Sequence, residues 1–456
     1  MIVQGLTVME SGTKKEKALK LCMVMTGLTG VFLRTFYVYY TPSWLRQHEV
    51  LGFGADEGQA AFIEYFYNGH FLLDFDPRQR WGFFQPPLHH MLSAAWIHLQ
   101  ESFGAAYSAA CENVQLLTLI YGFITLLFAF MMLRYFMPGG LSLLIAFALC
   151  AVHPGFIQMS GSINNDMLAI MFSMMTIYFG LKWYDEPSWR YTILLALTIG
   201  LGMMAKLSAA LVAPAIAFLF ITKWIRSGKE GFVSYLLKYI VFIVICAPLG
   251  LWSPVRNLLR FGVPVSFTPE VGEPVTATIW QRIFDIRTGK PFVYMEKYGD
   301  PYNEFNIFLG IMKSSLFGDQ DFALALSEAG HGGVGATVMS VAGWILLLSG
   351  SVLAVLALYA TLRVLIGDRY IGNGVFRAYF SILYVLSMVV YVKFMLSSGS
   401  YSSMDFRYVL YLLPVEALML GLYTQGCCSA FRRFAVGVTA VFVLSTTAVY
   451  TMLSIV

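Results

Sequence analysis

Charged residues are scarce in this chain. Only 12% of its 456 residues are Asp, Glu, Lys or Arg, whereas a soluble domain is nearer about a quarter charged. Hydrophobic residues make up 58%, and a soluble fold of this size could not bury so much apolar surface. The chain is also 16% aromatic, which excludes a disordered protein. The composition therefore predicts a polytopic membrane protein.

Cysteine and excess charge of one sign are scarce as well. The six cysteines have no metal-binding spacing, which argues against a zinc module or a disulfide framework. Thirty basic residues nearly balance 26 acidic ones, so the net charge of +4 does not indicate a nucleic-acid-binding surface. Residues 1–17 are polar and precede the first apolar run, which favours a signal anchor that is not cleaved.

Long apolar runs are what the chain has in abundance. A membrane-spanning helix needs roughly 20 apolar residues, which predicts about eleven spans here, within a range of roughly 10 to 13. We therefore expect an all-α polytopic helical bundle, with residues 1–456 as a single transmembrane domain. The two runs around Lys206 are short enough to form one broken unit. The spans are expected near residues 18–40, 113–135, 139–159, 164–184, 190–205, 208–225, 235–253, 336–363, 374–397, 404–424 and 431–454.

Lysine and arginine are unevenly distributed between the connections. With the N-terminus in the cytoplasm, the short connections on that side carry most of them, as the positive-inside rule requires. Most acidic residues then fall on the outer side. Two outer segments, residues 41–86 and 254–335, are too long and polar to be simple connections, and long loops are usually functional. We expect amphipathic interfacial helices in both.

The first outer loop contains the residues best suited to catalysis. Asp56-Glu57 precedes apolar positions at helical spacing that end at Asn68-Gly69, which predicts an interfacial helix with two carboxylates in its first turn. A carboxylate at the mouth of a membrane cavity can act as a general base. Glu49 is a third candidate. Each of the three acids could instead be an ordinary solvated side chain.

Other polar residues lie at the outer ends of predicted spans. Asn165 and Asp166 begin the fourth span, where an ionisable side chain can face a cavity. Arg407, followed by Tyr408, opens the tenth span, and Arg256 opens the second outer loop. Arginine suits bidentate phosphate contact, although a long basic side chain at a span end can also simply reach towards water.

Taken together, these motifs resemble the C-type integral membrane glycosyltransferases (GT-C), in particular the protein O-mannosyltransferases and the aminoarabinose lipid A transferases. Those families carry an acidic motif, often Asp-Glu, in the first outer loop and a Pro-Pro-Leu box further along. Asp56-Glu57 and Pro86-Pro87-Leu88 match this pattern. The residue before the prolines is Gln85, where a basic residue is usual, and His89 and His90 could substitute for it from the next turn.

Two later motifs extend the resemblance, which is strongest over roughly residues 40–260. The families often have an acid or Asn-Asp at the start of the equivalent span, facing the active-site cavity. Their late Arg-Tyr pair contributes an arginine that contacts the lipid phosphate. The resemblance therefore implies a polar cavity wall and a donor-phosphate site. We assign the wall to Asn165 and Asp166, and phosphate binding to Arg407, Tyr408, Arg256, His89 and His90.

The predicted function is transfer of a hexosyl or pentosyl group from a polyprenyl-phosphate donor to an acceptor hydroxyl, with inversion at the sugar. The acceptor would be a lipid, a glycan or a protein at the outer membrane face, and nucleic acid is not expected as a partner. Asp56 is the preferred base, with Glu57 and Glu49 as alternatives. A divalent metal stays open as a cofactor, because imidazole can ligate metals. The candidate histidines are His70, His89, His90 and His98.

Two other classes of function are open on the sequence. A transporter or flippase for a lipid-linked or amphiphilic substrate is the main alternative, although it should have charges near the midplane and paired broken helices. A structural subunit of a membrane complex is the third. The N-terminal arm has no recognisable eukaryotic retention signal, which favours the bacterial plasma membrane over the endoplasmic reticulum.

Overall fold

The computed structural model describes residues 14–43, 52–265, 267–269, 278–286, 306–318, 334–367, 370–397 and 404–455. Within these ranges every regular element is an α-helix or a 3-10 helix, so the predicted all-α fold is confirmed. The α-helices are, in chain order, α1 (Lys14–Tyr40), α2 (Gly58–Tyr67), α3 (Leu88–Ser102), α4 (Tyr107–Glu112), α5 (Val114–Phe136), α6 (Leu141–Val152), α7 (Pro154–Met159), α8 (Asp166–Asp185), α9 (Trp189–Ala205), α10 (Ala213–Arg226), α11 (Gly228–Phe261), α12 (Ile279–Phe284), α13 (Ile307–Phe317), α14 (Val334–Ile366), α15 (Gly374–Ser397), α16 (Leu413–Gly426) and α17 (Ser429–Ile455).

All eleven predicted spans coincide with helical segments. Nine helices in the described part of the chain are long and apolar enough to cross a membrane. The predicted spans near residues 139–159 and 190–205 correspond to the shorter apolar helices α6 and α9. The total number of membrane crossings therefore stays a prediction.

The helices of the bundle differ widely in how much of their apolar stretch is buried by the rest of the protein. In α8, 78% of the apolar stretch is buried, and in the span that contains α16 the share is 83%. In the long helix α11 only 6% of the apolar stretch is buried, and the other residues of that stretch are half-buried or exposed. Helix α11 approaches α9 closely at Gly200, where an added Cβ would lie 2.9 Å from the Cβ of Leu249, and small residues permit such packing between membrane helices.

Two helices of the bundle are interrupted. Helix α6 ends at Val152 because Pro154 lacks an N–H donor and restricts the residue before it, and α7 begins at that proline. Helix α9 ends at Ala205, where Lys206 takes an extended conformation (φ −156°, ψ 129°), and a 3-10 helix over Leu207–Val212 leads into α10. The predicted broken unit around Lys206 is confirmed.

The start of the first-loop helix differs from the expectation. Helix α2 begins at Gly58, so Asp56 and Glu57 precede it, and the prediction of two carboxylates in its first turn is wrong. The physical reason is the backbone of Gly58, whose φ of +97° turns the chain between the carboxylates and the helix. The predicted end is confirmed, because Asn68 is the C-cap and Gly69 has a φ of +85°.

The predicted second outer loop, residues 254–335, starts within a helix. Helix α11 runs on to Phe261, where Gly262 ends it in a left-handed conformation, so residues 254–261 are helical rather than loop. Beyond it, the described residues include the short helices α12 and α13. Whether the loop helices lie in the membrane interface stays a prediction.

Candidate active site

The interruption at Lys206 brings a lysine against the start of α8. The Lys206 ammonium donates a hydrogen bond to Oδ1 of Asp166, the first residue of α8. The side chain of Lys206 is 14% exposed and that of Asp166 is 5% exposed, so the contact is nearly dry. Because Lys206 is extended and lies between two helices, its side chain can reach the N-terminal end of α8. In a continuous helix the side chain would project from the helix surface instead.

Arg407 joins the same cluster from the other half of the chain. It lies in the 3-10 helix Phe406–Leu412, whose first turn Asp405 caps by accepting a hydrogen bond from the Arg407 N–H at 2.8 Å. The guanidinium Nε is 3.4 Å from a carboxylate oxygen of Asp166 and 3.4 Å from one of Asp405. Two cations and two carboxylates thus meet in one buried group, which we call the ion cluster (Asp166, Lys206, Asp405 and Arg407).

Burial makes the composition of the ion cluster decisive. Arg407 is 4% exposed, Asp405 3% and Asp166 4%. Buried charges require partners of opposite sign, and removing one partner of a buried pair typically costs about 3–5 kcal/mol. The four members of the cluster carry two charges of each sign, and Lys206 is the member that lines a cavity of about 350 Å³.

The cavity above Lys206 has a volume of about 350 Å³ and is open on one side. Its walls come from the first loop, from the 3-10 helix after Lys206, from the segment after α11 and from α15. Tyr408 also lines it, and the Lys206 ammonium lies 4.9 Å from the centre of the Tyr408 ring. The apolar lining residues include Leu207, Leu211, Val265, Phe267, Val390 and Phe394.

The first-loop acids lie beside this cavity. The Glu57 carboxylate accepts a hydrogen bond at 3.4 Å from the N–H of Trp81, which lines the cavity. The N–H of Gly58 donates to the Trp81 carbonyl at 2.8 Å. Asp56 and Glu57 are both exposed. The third candidate, Glu49, lies outside the described residues.

Asn165 and Asp166 stand where the sequence placed them, at the start of α8. Asn165 is 1% exposed and donates from its amide nitrogen to the carbonyl of Ala205 at 2.7 Å and to Oε1 of Gln85 at 3.3 Å. Asp166 is reached through Lys206 rather than directly from the cavity, since Lys206 is among the lining residues and Asp166 is not.

The two histidines after the prolines lie behind the cavity wall. His89 Nε2 is 2.7 Å from the carbonyl of Ile163, and His90 Nε2 is 2.6 Å from Oε1 of Gln59. Both rings are fully buried, and burial lowers the pKa of His89 to about 4 and that of His90 well below its ordinary 6.5. Both imidazoles are therefore neutral near pH 7, an arrangement that does not favour direct phosphate binding.

Arg256 is not brought to the ion cluster. It donates to the carbonyl of Leu73 in the first loop, and its guanidinium lies 5.7 Å from the centre of the Phe261 ring. It is absent from the described cavity lining. The contact joins the end of α11 to the first loop, and a phosphate role for Arg256 stays a prediction.

A metal finds no built site among the described residues, which contain no group of three or more His, Cys, Asp or Glu side chains placed to hold one. His70 stacks on Tyr65, with 4.4 Å between ring centres, and His98 stacks on Tyr67 at the same distance. His70 and His98 thus lie in separate contacts, whereas His89 and His90 are neighbours, with 5.6 Å between ring centres.

Lys206 is the residue that the sequence-based assignment of site residues omitted. Its signal was present, because a lysine between two short apolar runs marks both a helix break and a charge at membrane depth. The sequence could not show that this break faces Asp166, since 40 positions separate the two residues.

Comparisons with known proteins support the predicted resemblance. The family profile described as dolichyl-phosphate-mannose-protein mannosyltransferase matches residues 94–252, a range that contains Asp166 and Lys206. No curated protein matches the chain by sequence.

Two solved structures resemble the fold over nearly the whole chain. The oligosaccharyltransferase of Archaeoglobus fulgidus, in complex with Zn and sulfate, has 15% identity and a TM-score of 0.51, and the match covers 95% of this chain and 53% of that one. ArnT of Cupriavidus metallidurans, bound to undecaprenyl phosphate, has 14% identity and a TM-score of 0.50, with 94% and 76% coverage. The chain thus spans about half the length of the archaeal protein.

The profile match and the fold agree on one class. The chain resembles the GT-C membrane glycosyltransferases, and it has the helical membrane fold of ArnT and the archaeal oligosaccharyltransferase. Its long apolar helices make it an integral membrane protein.

Proposed function

We propose that this protein is a glycosyltransferase that moves a single sugar from a polyprenyl-phosphate carrier to an acceptor hydroxyl. One observation carries the proposal: a largely apolar cavity of about 350 Å³ meets the ammonium of Lys206 at the edge of the ion cluster. A polyprenyl-phosphate sugar combines an apolar chain with a negatively charged phosphate, and this cavity offers a surface suited to each part.

Lys206 is the proposed phosphate contact. An ammonium has three N–H donors, and Asp166 accepts one of them, so two are left for phosphate oxygens. Arg407 lies behind and stabilises the same carboxylate, which keeps the ammonium in place as negative charge develops on the leaving phosphate. Tyr408, against which Lys206 packs, adds a second polar group at that end of the cavity.

Asp56 is the proposed general base, with Glu57 as its positioning neighbour. The Glu57 carboxylate is engaged by the N–H of Trp81, which fixes the turn, while Asp56 is exposed beside it. An exposed carboxylate on a fixed turn can accept a proton from an acceptor that arrives from the water side. Glu49 stays the alternative base.

In the proposed reaction, an acceptor oxygen forms a bond to the anomeric carbon from the face opposite the phosphate. The carbon–oxygen bond to the phosphate breaks, its electron pair goes to the phosphate, and the acceptor proton goes to Asp56. Configuration at the anomeric carbon is therefore inverted. No step is assigned to a metal, because the described residues offer no three-ligand set.

The proposed location is the bacterial plasma membrane, with the cavity on the outer face. The distribution of lysine and arginine over the predicted cytoplasmic connections supports this orientation. The donor would enter from the surrounding lipid, and a lipid, glycan or protein would supply the hydroxyl.

Transfer of label from a defined donor tests the proposal. Purified protein in lipid nanodiscs is incubated with polyprenyl phosphate that carries radiolabelled mannose, together with a membrane extract as the source of acceptors. We expect label in a new product, and a loss of about 100-fold or more for Asp56→Asn, the scale of general-base catalysis. Asp74→Asn is the matched control, because it makes the same change at an exposed acid of the first loop whose carboxylate accepts a hydrogen bond from the Tyr65 hydroxyl at 3.2 Å.

Two results would contradict the proposal in different ways. Full activity in both Asp56→Asn and Glu49→Gln would overturn the assignment of the base. Uptake of the intact sugar lipid into liposomes, without any covalent product, would replace the transferase with a transporter.

A further inference from the structure

Two glutamine amides line the cavity between Lys206 and the first-loop acids. Gln59, in the first turn of α2, is 2% exposed, and Gln85 is half-buried just before the prolines. Neither residue carries charge, although the cavity is proposed to bind a charged lipid. Their role is not explained by phosphate binding at Lys206.

Each amide is held at one end by a buried partner. His90 meets Oε1 of Gln59 at 2.6 Å, and the His90 ring packs 4.3 Å from the ring of Phe62. Asn165 donates to Oε1 of Gln85 at 3.3 Å and is itself fixed by the carbonyl of Ala205. The two glutamines are thus oriented from behind by side chains that do not line the cavity.

The other end of each amide makes no hydrogen bond within the described ranges of the chain. The cavity end of each amide therefore has hydrogen-bonding capacity left for a group that enters the cavity. Amides both donate and accept, as sugar hydroxyls do. Trp81 contributes an aromatic face to the same wall, which suits the apolar face of a sugar ring.

The charges around the cavity limit which sugar fits. The described lining residues include no carboxylate, and Lys206 is the only cation among them. The described lining offers the ammonium of an amino sugar no carboxylate partner. A sugar acid would compete with the phosphate for the Lys206 ammonium. A neutral sugar avoids both conflicts.

We propose that Gln59 and Gln85 form the sugar subsite and select a neutral, hydroxyl-bearing sugar, with His90 as the positioning residue of Gln59. This inference rests on the proposed glycosyltransferase function and deepens it. Gln59 and Gln85 contact the sugar, Lys206 contacts the phosphate, and His90 acts only through the Gln59 amide.

Binding of two lipids that differ only in the sugar separates these roles. Purified protein is titrated with polyprenyl phosphate and with the same lipid carrying mannose. We expect Gln59→Leu and Gln85→Leu each to weaken binding of the mannosyl lipid by about 3- to 10-fold, the effect of one neutral hydrogen bond, and to leave binding of the bare lipid within about 2-fold. Gln79→Leu is the matched control, since Gln79 is an exposed glutamine of the same loop.

A double variant tests the role of His90. His90→Phe keeps a ring against Phe62 and removes the contact with Gln59. If His90 acts through Gln59, the double variant Gln59→Leu/His90→Phe binds the mannosyl lipid no more weakly than Gln59→Leu alone. Additive losses of binding would overturn the positioning role. Each variant is first checked for an unchanged melting temperature in detergent.

The possible outcomes distinguish this inference from the function on which it rests. Equal weakening of both lipids would show that the amides bind phosphate, and unchanged binding of both would remove them from the site. Either result overturns the sugar subsite but keeps a lipid-phosphate-binding protein. A third lipid, polyprenyl phosphate carrying glucosamine, is titrated in the same way, and tighter binding of it than of the mannosyl lipid would overturn the selection for neutral sugars. Failure of the unaltered protein to bind either lipid would contradict the proposed function itself.

Discussion

The bundle has two helix interruptions, one at His153 and one at Lys206. They differ in which groups form hydrogen bonds with the polar atoms at the break. At His153 the gap is sealed from within, because the buried guanidinium of Arg34 donates to the carbonyls of Cys150 (3.1 Å) and Ala151 at the end of α6. At Lys206 the gap opens onto a cavity, and the side chain is shared between Asp166 and that space. One break completes its hydrogen bonding with protein, and the other leaves donors for a ligand.

The difference shows how to tell a structural break from a functional one. A helix end inside a membrane must have its carbonyls satisfied, since no water is available there. Arg34 donates to main-chain carbonyl oxygens, and it does not line the cavity beside Lys206. Lys206 binds a carboxylate and reaches a cavity. A cation that donates only to main-chain carbonyls indicates a structural break, and one that donates to a carboxylate beside a cavity indicates a functional break. This criterion distinguishes Arg34 from Lys206 better than burial does.

A large loss of stability without a loss of transfer is expected from Arg34→Met. The substitution keeps much of the volume of the side chain but leaves the last carbonyls of α6 without donors, at about 1–3 kcal/mol for each buried group. We expect a fall of about 4 kcal/mol in the free energy of unfolding and unchanged transfer per folded molecule. Thermal unfolding in detergent, followed by loss of the monodisperse peak, measures the first. A variant as stable as the unaltered protein would show that the first break is not sealed by Arg34.

Lys206→Met should lower both stability and transfer. It removes one of the two cations of the buried ion cluster, at about 3–5 kcal/mol in the free energy of unfolding, and it also removes the proposed phosphate contact. Transfer is therefore measured per folded molecule. We expect sugar transfer to fall about 100-fold, equivalent to about 2.7 kcal/mol. Lys206→Arg, which keeps the charge, is the control and should retain more activity. Equal activity of Lys206→Met and the unaltered protein would contradict the functional reading of the second break.

Acid should loosen the segment between the two breaks. His89 holds the Ile163 carbonyl there, and burial lowers the pKa of His89 to about 4. The unfolded chain, with an ordinary pKa near 6.5, therefore takes up the proton first. The contribution of His89 to stability should be constant above about pH 6.5 and fall by about 1.4 kcal/mol per unit as the pH drops from about 6.5 to 4, and the buried His90 adds to this fall. His89→Gln should remove the His89 share of that dependence, and an unchanged profile would contradict the assignment.

The smallest effect is expected from His153→Phe, which keeps a ring beside Phe406 and Phe442 at the first break but removes the cap. His153 Nδ1 accepts a hydrogen bond from the N–H of Gly155 at 3.2 Å and so caps α7. Loss of one such cap costs about 1 kcal/mol, and the contacts of Arg34 would persist. A small shift in melting temperature with normal transfer is the expected measurement. Strong loss of activity would mean that this break also serves the site.

The sequence predicted elements and breaks better than contacts. Helix existence followed from apolar runs, and the interruption at Lys206 followed from two short runs, because both depend on local composition. The position of Asp56 and Glu57 outside α2 was missed, since it depends on the positive φ of Gly58, which composition does not reveal. The meeting of Asp166, Lys206 and Arg407 depends on packing between distant segments, and periodicity carries no information about it.

The length of α11 also bears on the distance between the first loop and the bilayer. Its 34 residues extend about 50 Å at about 1.5 Å per residue, well beyond the roughly 30 Å of hydrocarbon. Arg256 near its end donates to Leu73, and Arg78 of the loop donates to the Phe261 carbonyl at 3.1 Å. Through these two contacts the length of α11 would fix the distance between the bilayer and the first loop, which carries Asp56. That distance would not depend on contacts between the loop and lipid.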